Sequence, residues 1–420
     1  MKLASAKLLI IVVEVTLLVI VLSILAVQEL TTSVHYAPIV HLEEGAIRGI
    51  TIEVEQLPRH IKVHFYQGIR YGRAERFRKP FPAEAWPGIY QATTPQATCP
   101  FNGLDNPAKR YTTTTYSEDC LFLNVWRPLY EHRDGVTGRP IPFPVMVYIF
   151  GGGFTGGSIF KFTHDGRYIA GRGDVIVVAM NYRLSSFGFL YSGTGEAAPG
   201  NVAFHDQILA LQWVQRNIAR FGGDPTRVTI FGNSAGSTAV GALLLSPLTK
   251  GLFRRAILQS GVPTSLMNRS EALEATRKLA QAARCPVDNG VPMSTTLTCL
   301  KLVRIETLLN ASREIGELNK PMFGDEVMPV EAVTALNSGQ FNSANIDLMY
   351  GVAKDEGPSF AEDFMPPLPK KITVDSVRES IAALFKDIGV SYYQEVADYY
   401  SANLNSSRLL ETNFSQDDLR

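Results

Sequence analysis

The sequence lacks an excess of charge of either sign, since 40 Lys and Arg side chains balance 40 Asp and Glu side chains in 420 residues. No global basic field therefore attracts nucleic acid, and we expect no nucleic-acid partner. Cysteine is scarce, with four residues, which excludes a dense disulfide scaffold. No Cys-x-x-Cys motif or Cys/His cluster predicts a zinc site, and no metal or organic cofactor is expected. The 45% of hydrophobic and 19% of charged residues exclude disorder and collagen.

The N-terminus contains one long apolar run, Leu8–Val27, in which only three of twenty residues are polar. Twenty helical residues at ~1.5 Å each span a bilayer core of ~30 Å, whereas a cleaved signal peptide usually has ~7–15 apolar residues. Lys2 and Lys7 precede the run, which favours a cytoplasmic N-terminus and a body outside. We therefore expect residues 1–35 to form a cytoplasmic tip and an uncleaved signal anchor in the membrane. A cleaved signal peptide, which would make the body secreted, and a buried core helix are the alternatives. Either of the first two sends the body into the secretory pathway.

The cysteine spacing favours two sequential disulfides. Cys99 and Cys120 enclose 20 residues, and Cys285 and Cys299 enclose 13, so two short-range bridges are the simplest of three possible pairings. Each would stabilise the fold by roughly 3 kcal/mol on the loop-entropy model. Four unpaired buried thiols are the alternative. N-glycosylation is permitted, although not required, at four Asn-x-Ser sequons: Asn268, Asn310, Asn405 and Asn413.

No repeat or low-complexity linker divides the body, and we expect a single domain over residues 36–420. Val145–Phe150 and Val175–Met180 are continuous apolar runs, and Arg227–Phe231 is a further expected strand. Helical spacing of apolar residues separates the second and third of these strands, which predicts an α/β fold with a mostly parallel sheet covered by helices on both faces. In such sheets the reactive groups lie beyond the carboxyl ends of the strands. The other expected strands are Ala46–Val54, Ile61–Ile69, Ala256–Leu258 and Ile346–Tyr350.

The motif Gly232-Asn233-Ser234-Ala235-Gly236 carries the sharpest chemical signal. It follows an expected strand and precedes an apolar helix, Ala239–Leu245, which is the context of a nucleophile elbow. Flanking side chains would collide in so tight a turn, hence the glycines two residues either side of Ser234. The helix N-terminus beside the serine favours an oxyanion. An ordinary strand–helix turn is the alternative.

A second motif, Gly151-Gly152-Gly153, follows the strand that ends at Phe150. Lipases and esterases use such glycine turns to supply oxyanion-hole N–H groups, and a side chain there would block the substrate carbonyl. We expect the N–H groups of Gly152, Gly153 and Ala235 to be the donors. A flexible loop is the alternative.

These motifs belong to a longer series of runs that resembles the type B carboxylesterase family, which includes the cholinesterases. The resemblance implies an α/β-hydrolase fold and ester hydrolysis by a Ser/Glu/His triad. It assigns the catalytic acid to Glu356, pairs Cys99 with Cys120 and pairs Cys285 with Cys299. The matching runs are Phe65–Tyr71 (FYQGIRY), Ser117–Trp126 (SEDCLFLNVW), Ile149–Phe154 (IFGGGF), Gly200–Ser237, Leu258–Gly261 (LQSG) and Gly351–Gly357 (GVAKDEG).

The sequence departs from the family pattern at the catalytic base, because the order in this fold is serine, acid, histidine. Residues 357–420 contain no histidine. They read as two helices, Val374–Phe385 and Tyr392–Tyr400, and a polar end, without the family's final strand, histidine loop and terminal helices. We therefore expect a C-terminally truncated chain whose base lies beyond residue 420. His164 and His205 do not match the family's base and are expected to be surface or packing residues. The seven histidines are His35, His41, His60, His64, His132, His164 and His205.

Two further departures bear on the substrate. Asn233 stands before the serine where many relatives carry an acid, and Trp86, Trp126 and Trp213 all lie outside the Cys99–Cys120 loop, where cholinesterases carry a choline-binding tryptophan. A neutral small-molecule ester is therefore the expected substrate of a carboxylesterase. The rival readings are a non-catalytic, cholinesterase-like adhesion or ligand-binding protein and an inactive truncated isoform.

Overall fold

The fold is described from a computed structural model of the chain. It describes residues 34–54, 61–101, 115–193, 195–264, 266–287, 290–315, 320–339, 346–354, 373–387 and 391–402, with the single residues 16 and 356. The apolar run Leu8–Val27 of the predicted anchor therefore lies outside the described residues, apart from Thr16. So do the sequons Asn405 and Asn413. No helix within the described ranges is both long and apolar enough to cross a bilayer.

A ten-stranded sheet is the framework of the fold, with the order β1-β2-β3-β7-β11-β10-β12-β13-β14 and with β6 paired to β2. Two small hairpins, β4–β5 and β8–β9, lie outside it. The strands are β1 (Tyr36–His41), β2 (Ala46–Val54), β3 (Ile61–Arg70), β4 (Gly72–Arg73), β5 (Phe81–Pro82), β6 (Ile89–Gln91), β7 (Phe122–Pro128), β8 (His132–Arg133), β9 (Pro140–Ile141), β10 (Phe143–Ile149), β11 (Ile176–Met180), β12 (Gly223–Asn233), β13 (Arg255–Gln259) and β14 (Asp347–Gly351).

The sheet changes direction at β11. The pairs β1–β2, β2–β3, β3–β7 and β7–β11 are antiparallel, whereas β11–β10, β10–β12 and β12–β13 are parallel. The parallel part comprises the apolar runs that the sequence predicts as strands, so their carboxyl ends meet at one edge of the sheet.

Helices cover both faces of the sheet, as predicted. In β10, Val145, Val147 and Ile149 are buried while the alternate residues are half-buried. The α4 helix packs closely on the sheet, since a Cβ on Gly236 would lie 2.1 Å from Ile149 O. The helices are α1 (Arg167–Gly173), α2 (Ser185–Phe189), α3 (Val202–Asn217), α4 (Ala235–Leu245), α5 (Arg269–Ala282), α6 (Met293–Leu302), α7 (Ile305–Ile315), α8 (Ala332–Ser338), α9 (Val374–Asp387) and α10 (Tyr393–Ser401).

A buried ion pair joins the segment after β11 to α3. The guanidinium of Arg183 donates from Nε to Asp206 Oδ2 at 2.8 Å and from Nη2 to Asp206 Oδ1 at 2.7 Å, with side-chain exposures of 4% and 0%. Arg183 Nη1 donates to the carbonyls of Glu75 and Arg78. Burial raises the pKa of Asp206, and the Arg183 charge opposes that rise. A pair so fully hydrogen-bonded can be held inside a protein without an uncompensated charge.

The chain divides into two compact units, residues 1–350 and residues 351–420. The sheet and its helices up to α8 belong to the first. In the second, α9 and α10 pack on each other, and Arg378 Nε of α9 lies 3.1 Å from Asp398 Oδ1 of α10. Both helices match the sequence prediction closely. The single domain expected over residues 36–420 stays a prediction.

Both predicted disulfides are present in the first unit. Cys99 bonds to Cys120 with an S–S distance of 2.05 Å, and Cys285 bonds to Cys299 with an S–S distance of 2.04 Å. The simplest of the three pairings is therefore confirmed.

Candidate active site

Ser234 is the single residue between the end of β12 and the start of α4, and its backbone angles are φ 57° and ψ −126°. A positive φ is sterically unfavourable for a residue with a Cβ and persists only where the surroundings enforce it. The residue is half-buried. The structure thus has the strand–serine–helix order that the motif indicates, although the helix begins directly after the serine and not at Ala239.

The flanking glycines allow the turn to close. A Cβ on Gly232 would lie 2.5 Å from Gly236 C and O, and a Cβ on Gly236 would lie 2.1 Å from Ile149 O and 2.8 Å from Phe150 C. These separations are far inside ordinary contact distances. No side chain fits at either position, which is the physical reason for the spacing of the motif.

The segment after β13 holds this turn from the side. The N–H of Ser234 donates to Gln259 O at 2.9 Å, and Ser237 Oγ donates to Gly261 O at 2.7 Å. Ser260 between them has φ 55°, a second positive φ away from glycine. Gln259, Ser260 and Gly261 belong to the LQSG run, but neither their type nor their spacing indicates a support for the serine.

The glycine loop lies directly against the turn. A Cβ on Gly151 would lie 2.2 Å from Asn233 O and 3.2 Å from Ser234 Cβ. Gly152 and Gly153 have φ 119° and 63° and are exposed. Within the described part of the chain, no group accepts a hydrogen bond from the N–H of Gly152, Gly153 or Ala235. The structure therefore brings the first residue of the glycine loop against the serine turn, and the three expected N–H donors have no acceptor among the described residues.

Phe154 anchors the loop, a role that no sequence motif indicates. Its φ is 59°, it is buried, and its ring contacts Phe189 and Phe204 with centroid distances of 5.1 and 6.2 Å. Its carbonyl accepts the N–H of Ser185 at 2.8 Å. This aromatic packing stabilises an otherwise strained backbone conformation three residues after Gly151.

Glu356, the acid that the resemblance assigns, belongs to the second unit. It is half-buried, and its Oε1 accepts the N–H of Ala353 at 2.7 Å. Its catalytic role stays a prediction.

His164 and His205 have partners of their own. Nδ1 of His164 donates to Ser158 O at 2.8 Å, and its ring stacks on Phe150 at a centroid distance of 5.9 Å. Nε2 of His205 lies 3.2 Å from Glu326 Oε1. No hydrogen bond or ring contact joins either ring to Ser234 in the described parts of the chain.

Burial keeps three histidines neutral. It lowers the pKa of His164 to about 4, against a smaller opposing effect of the hydrogen bond to Ser158. It also lowers the pKa of His205 to about 4, although Glu326 acts in the other direction. The third histidine, His64, has a pKa of about 4 from burial and the nearby charge of Arg127.

The residue before Ser234 is Asn233, whose side chain carries no charge. Asn233 is exposed, and its Nδ2 donates to Gln259 O at 3.3 Å. Across the described ranges, no group of three or more His, Cys, Asp or Glu side chains is arranged to hold a metal ion.

Comparison with known proteins gives a consistent result. A model of the carboxylesterase family matches residues 36–416. Acetylcholinesterase-1 of Trittame loki is 35% identical over 372 residues, which are 82% of this chain and 63% of that protein. The cholinesterase of Mus musculus is 35% identical over 86% of this chain and 61% of its own length. The acetylcholinesterase of Electrophorus electricus is 36% identical over 80% of this chain and 55% of its own length. The chain thus spans about three fifths of the length of these curated relatives.

Proposed function

Because this chain belongs to the carboxylesterase family, we propose that it hydrolyses carboxylic esters, with Ser234 as the nucleophile. The observation that carries the proposal is the packing of the glycine loop on the serine turn, where a Cβ on Gly151 would lie 3.2 Å from Ser234 Cβ. That contact supports a site in which the hydroxyl of Ser234 and the N–H groups of the glycine loop act together. The sheet and its helices are consistent with the α/β-hydrolase fold of the carboxylesterase family, which supports the same proposal.

In the proposed reaction, Ser234 Oγ attacks the carbonyl carbon of the ester and gives up its proton to a base. The N–H groups of Gly152, Gly153 and Ala235 hold the negative oxygen of the tetrahedral intermediate. The alcohol leaves with a proton, and water then releases the acid from the acyl-enzyme. Loss of one oxyanion donor typically costs a factor of ~10²–10³ in turnover, so the geometry of the loop contributes heavily to the rate.

The proposal assigns Glu356 to orient the catalytic base, a histidine. Serine is a weak nucleophile without a base, and loss of the histidine in a serine hydrolase costs about six decades in turnover. No histidine follows Glu356 in the 420 residues. The contacts of His164 and His205 with Ser158 and Glu326 give neither ring this role.

Neutral esters are the proposed substrate class. Cation–π binding needs an accessible aromatic face, but Trp126 and Trp213 are 1% and 0% exposed. Trp86 is half-buried and donates to Ala46 O at 3.1 Å. Asn233 contributes no negative charge beside Ser234. These features disfavour a cationic choline ester.

The proposed location is the secretory pathway, either anchored in the membrane by the N-terminal run or secreted. Two disulfides support an oxidising compartment.

A fluorophosphonate probe tests the proposal on the complete translated product, including whatever the transcript encodes after Arg420. We expect rapid labelling on the peptide that contains Ser234 and none in Ser234→Ala. A neutral short-chain ester should be hydrolysed faster than its choline counterpart at equal concentration. Folded protein that takes up no probe would refute catalysis and favour the non-catalytic binding protein.

A further inference from the structure

Asn268 belongs both to a glycosylation sequon and to a helix cap, and these two roles use different atoms of its side chain. It begins the sequon Asn268-Arg269-Ser270 and is also the N-cap of α5. Its Oδ1 accepts the N–H groups of Ser270 at 2.9 Å and Glu271 at 3.0 Å. In return, Glu271 Oε2 accepts the N–H of Asn268 at 2.8 Å. This capping box satisfies N–H groups that the first turn of a helix leaves unpaired.

The cap leaves the amide nitrogen of Asn268 unused. Nδ2 donates no hydrogen bond to any group in the described ranges. N-glycosylation takes place at this nitrogen, whereas the cap uses only the oxygen. A glycan on Nδ2 converts a primary amide to a secondary one and leaves Oδ1 as an acceptor, so both roles are chemically compatible.

The surroundings leave room for a bulky group. Arg269, Ser270 and Glu271 are exposed, and Asn268 has an extended backbone, with φ −79° and ψ 171°. The chain just before it is held in place, since the N–H of Met267 donates to Pro321 O at 3.0 Å and its carbonyl accepts the N–H of Phe323 at 2.9 Å. A glycan here would project from a fixed, solvent-facing helix start.

The other described sequon has different surroundings. Asn310 is exposed, but it lies within α7, and its third residue, Ser312, is 1% exposed. Ser312 Oγ donates to Leu308 O at 2.8 Å. The sequon at Asn310 is therefore partly buried by folding, whereas at the other sequon Asn268 is half-buried and Arg269 and Ser270 are exposed.

We propose that Asn268 is an N-glycosylation site whose glycan is carried on Nδ2 while Oδ1 continues to cap α5. The glycan comes from an oligosaccharide linked to a lipid pyrophosphate. The bond between its anomeric carbon and the phosphate oxygen breaks, the bond from that carbon to Nδ2 forms, and Nδ2 gives up one proton as the lipid pyrophosphate leaves. The site depends on entry into the secretory pathway, which the two disulfides support. It is independent of ester hydrolysis.

The test uses the complete product secreted from eukaryotic cells. The N-glycan amidase releases the glycan and leaves aspartate, so peptide mapping in heavy-oxygen water marks each occupied asparagine. We expect that mark at Asn268. Ser270→Ala and Asn268→Asp should each lose the mass of one glycan. Recovery of the peptide only in unmodified form from the secreted protein would overturn the proposal.

Thermal melting separates the glycan from the cap. Ser270→Ala keeps the Asn268 side chain, and Asn268→Asp keeps an acceptor that also suits the helix N-terminus. Both should melt with the amidase-treated wild type. Asn268→Gln loses the short capping side chain as well and should melt roughly 1–2 °C lower. Asn310→Gln is the matched control, because it removes a sequon that caps no helix. Equal melting of Asn268→Asp and Asn268→Gln would refute the role of Oδ1.

Discussion

Gly151→Ala tests the contact on which the proposed active site depends. The new Cβ would lie 2.2 Å from Asn233 O, roughly 1 Å closer than ordinary contact. Either the glycine loop or the serine turn must therefore move by about that amount. A misplacement of ~1 Å in a catalytic site costs about 10²-fold in rate. We expect fluorophosphonate labelling of Ser234 to slow by roughly that factor.

The same change has a calculable effect on stability. Overpacking of this kind usually costs ~1–3 kcal/mol, which is less than the ~5–15 kcal/mol by which folded proteins are usually stable. The assay therefore measures the second-order labelling rate of the folded fraction, with near-ultraviolet circular dichroism and urea unfolding on the same samples. Gly135→Ala is the control, since no atom lies within 4 Å of its added Cβ and its φ is not in the left-handed region. A folded Gly151→Ala protein that labels at the wild-type rate would show that the loop does not supply the oxyanion donors.

Three other predictions concern stability. Asp206→Ala leaves the guanidinium of Arg183 buried without its charge partner and should lower the free energy of unfolding by ~3–5 kcal/mol, measured by urea denaturation. The control is the exposed ion pair of Arg255 and Asp347, where Asp347→Ala should cost less than ~1 kcal/mol. The folded pKa values of His64, His164 and His205 are about 4, below the ordinary value of 6.5. The free energy of unfolding should therefore be highest above the ordinary value and should fall as the pH drops from there towards 4. One such histidine should account for roughly 2 kcal/mol by pH 5, and unfolding midpoints that do not change between pH 7 and pH 5 would contradict this. Cys299→Ser opens a loop of 13 residues and should cost ~3 kcal/mol; an unchanged melting temperature under non-reducing conditions would refute the estimate.

The serine turn could be predicted from sequence because its constraint is local. Gly232 and Gly236 flank Ser234 at the spacing that a tight turn requires, and no distant residue is needed to read that. The start of α4 is harder to predict from sequence, because Gly236, Ser237 and Thr238 are poor helix formers. In the structure, the close approach of Gly236 to Ile149 O explains why a glycine stands in the first turn of this helix.

The supports of the site could not be predicted, because they depend on contacts between distant parts of the chain. Phe154 adopts a positive φ within a cluster that includes Phe189 and Phe204, and phenylalanine gives no sequence signal for that conformation. Asp206 looks like an ordinary charged helix residue until Arg183 is placed beside it. The antiparallel direction of the strands in the first half of the sheet cannot be predicted either, because a run of apolar residues does not indicate how its strand is oriented relative to its neighbours. Glu356 was assigned by resemblance alone and not by any local pattern.

The connectivity of the two disulfides has a consequence for biosynthesis. Each bridge joins two consecutive cysteines of the chain, which are 21 positions apart in the first bridge and 14 in the second. At ~5–20 residues per second, Cys120 follows Cys99 from the ribosome within a few seconds, whereas Cys285 emerges roughly ten seconds or more later. The first bridge can therefore form while no competing thiol of the same chain is present. A first bridge that closes in this interval leaves Cys285 and Cys299 only each other to pair with, and no later disulfide exchange is then needed.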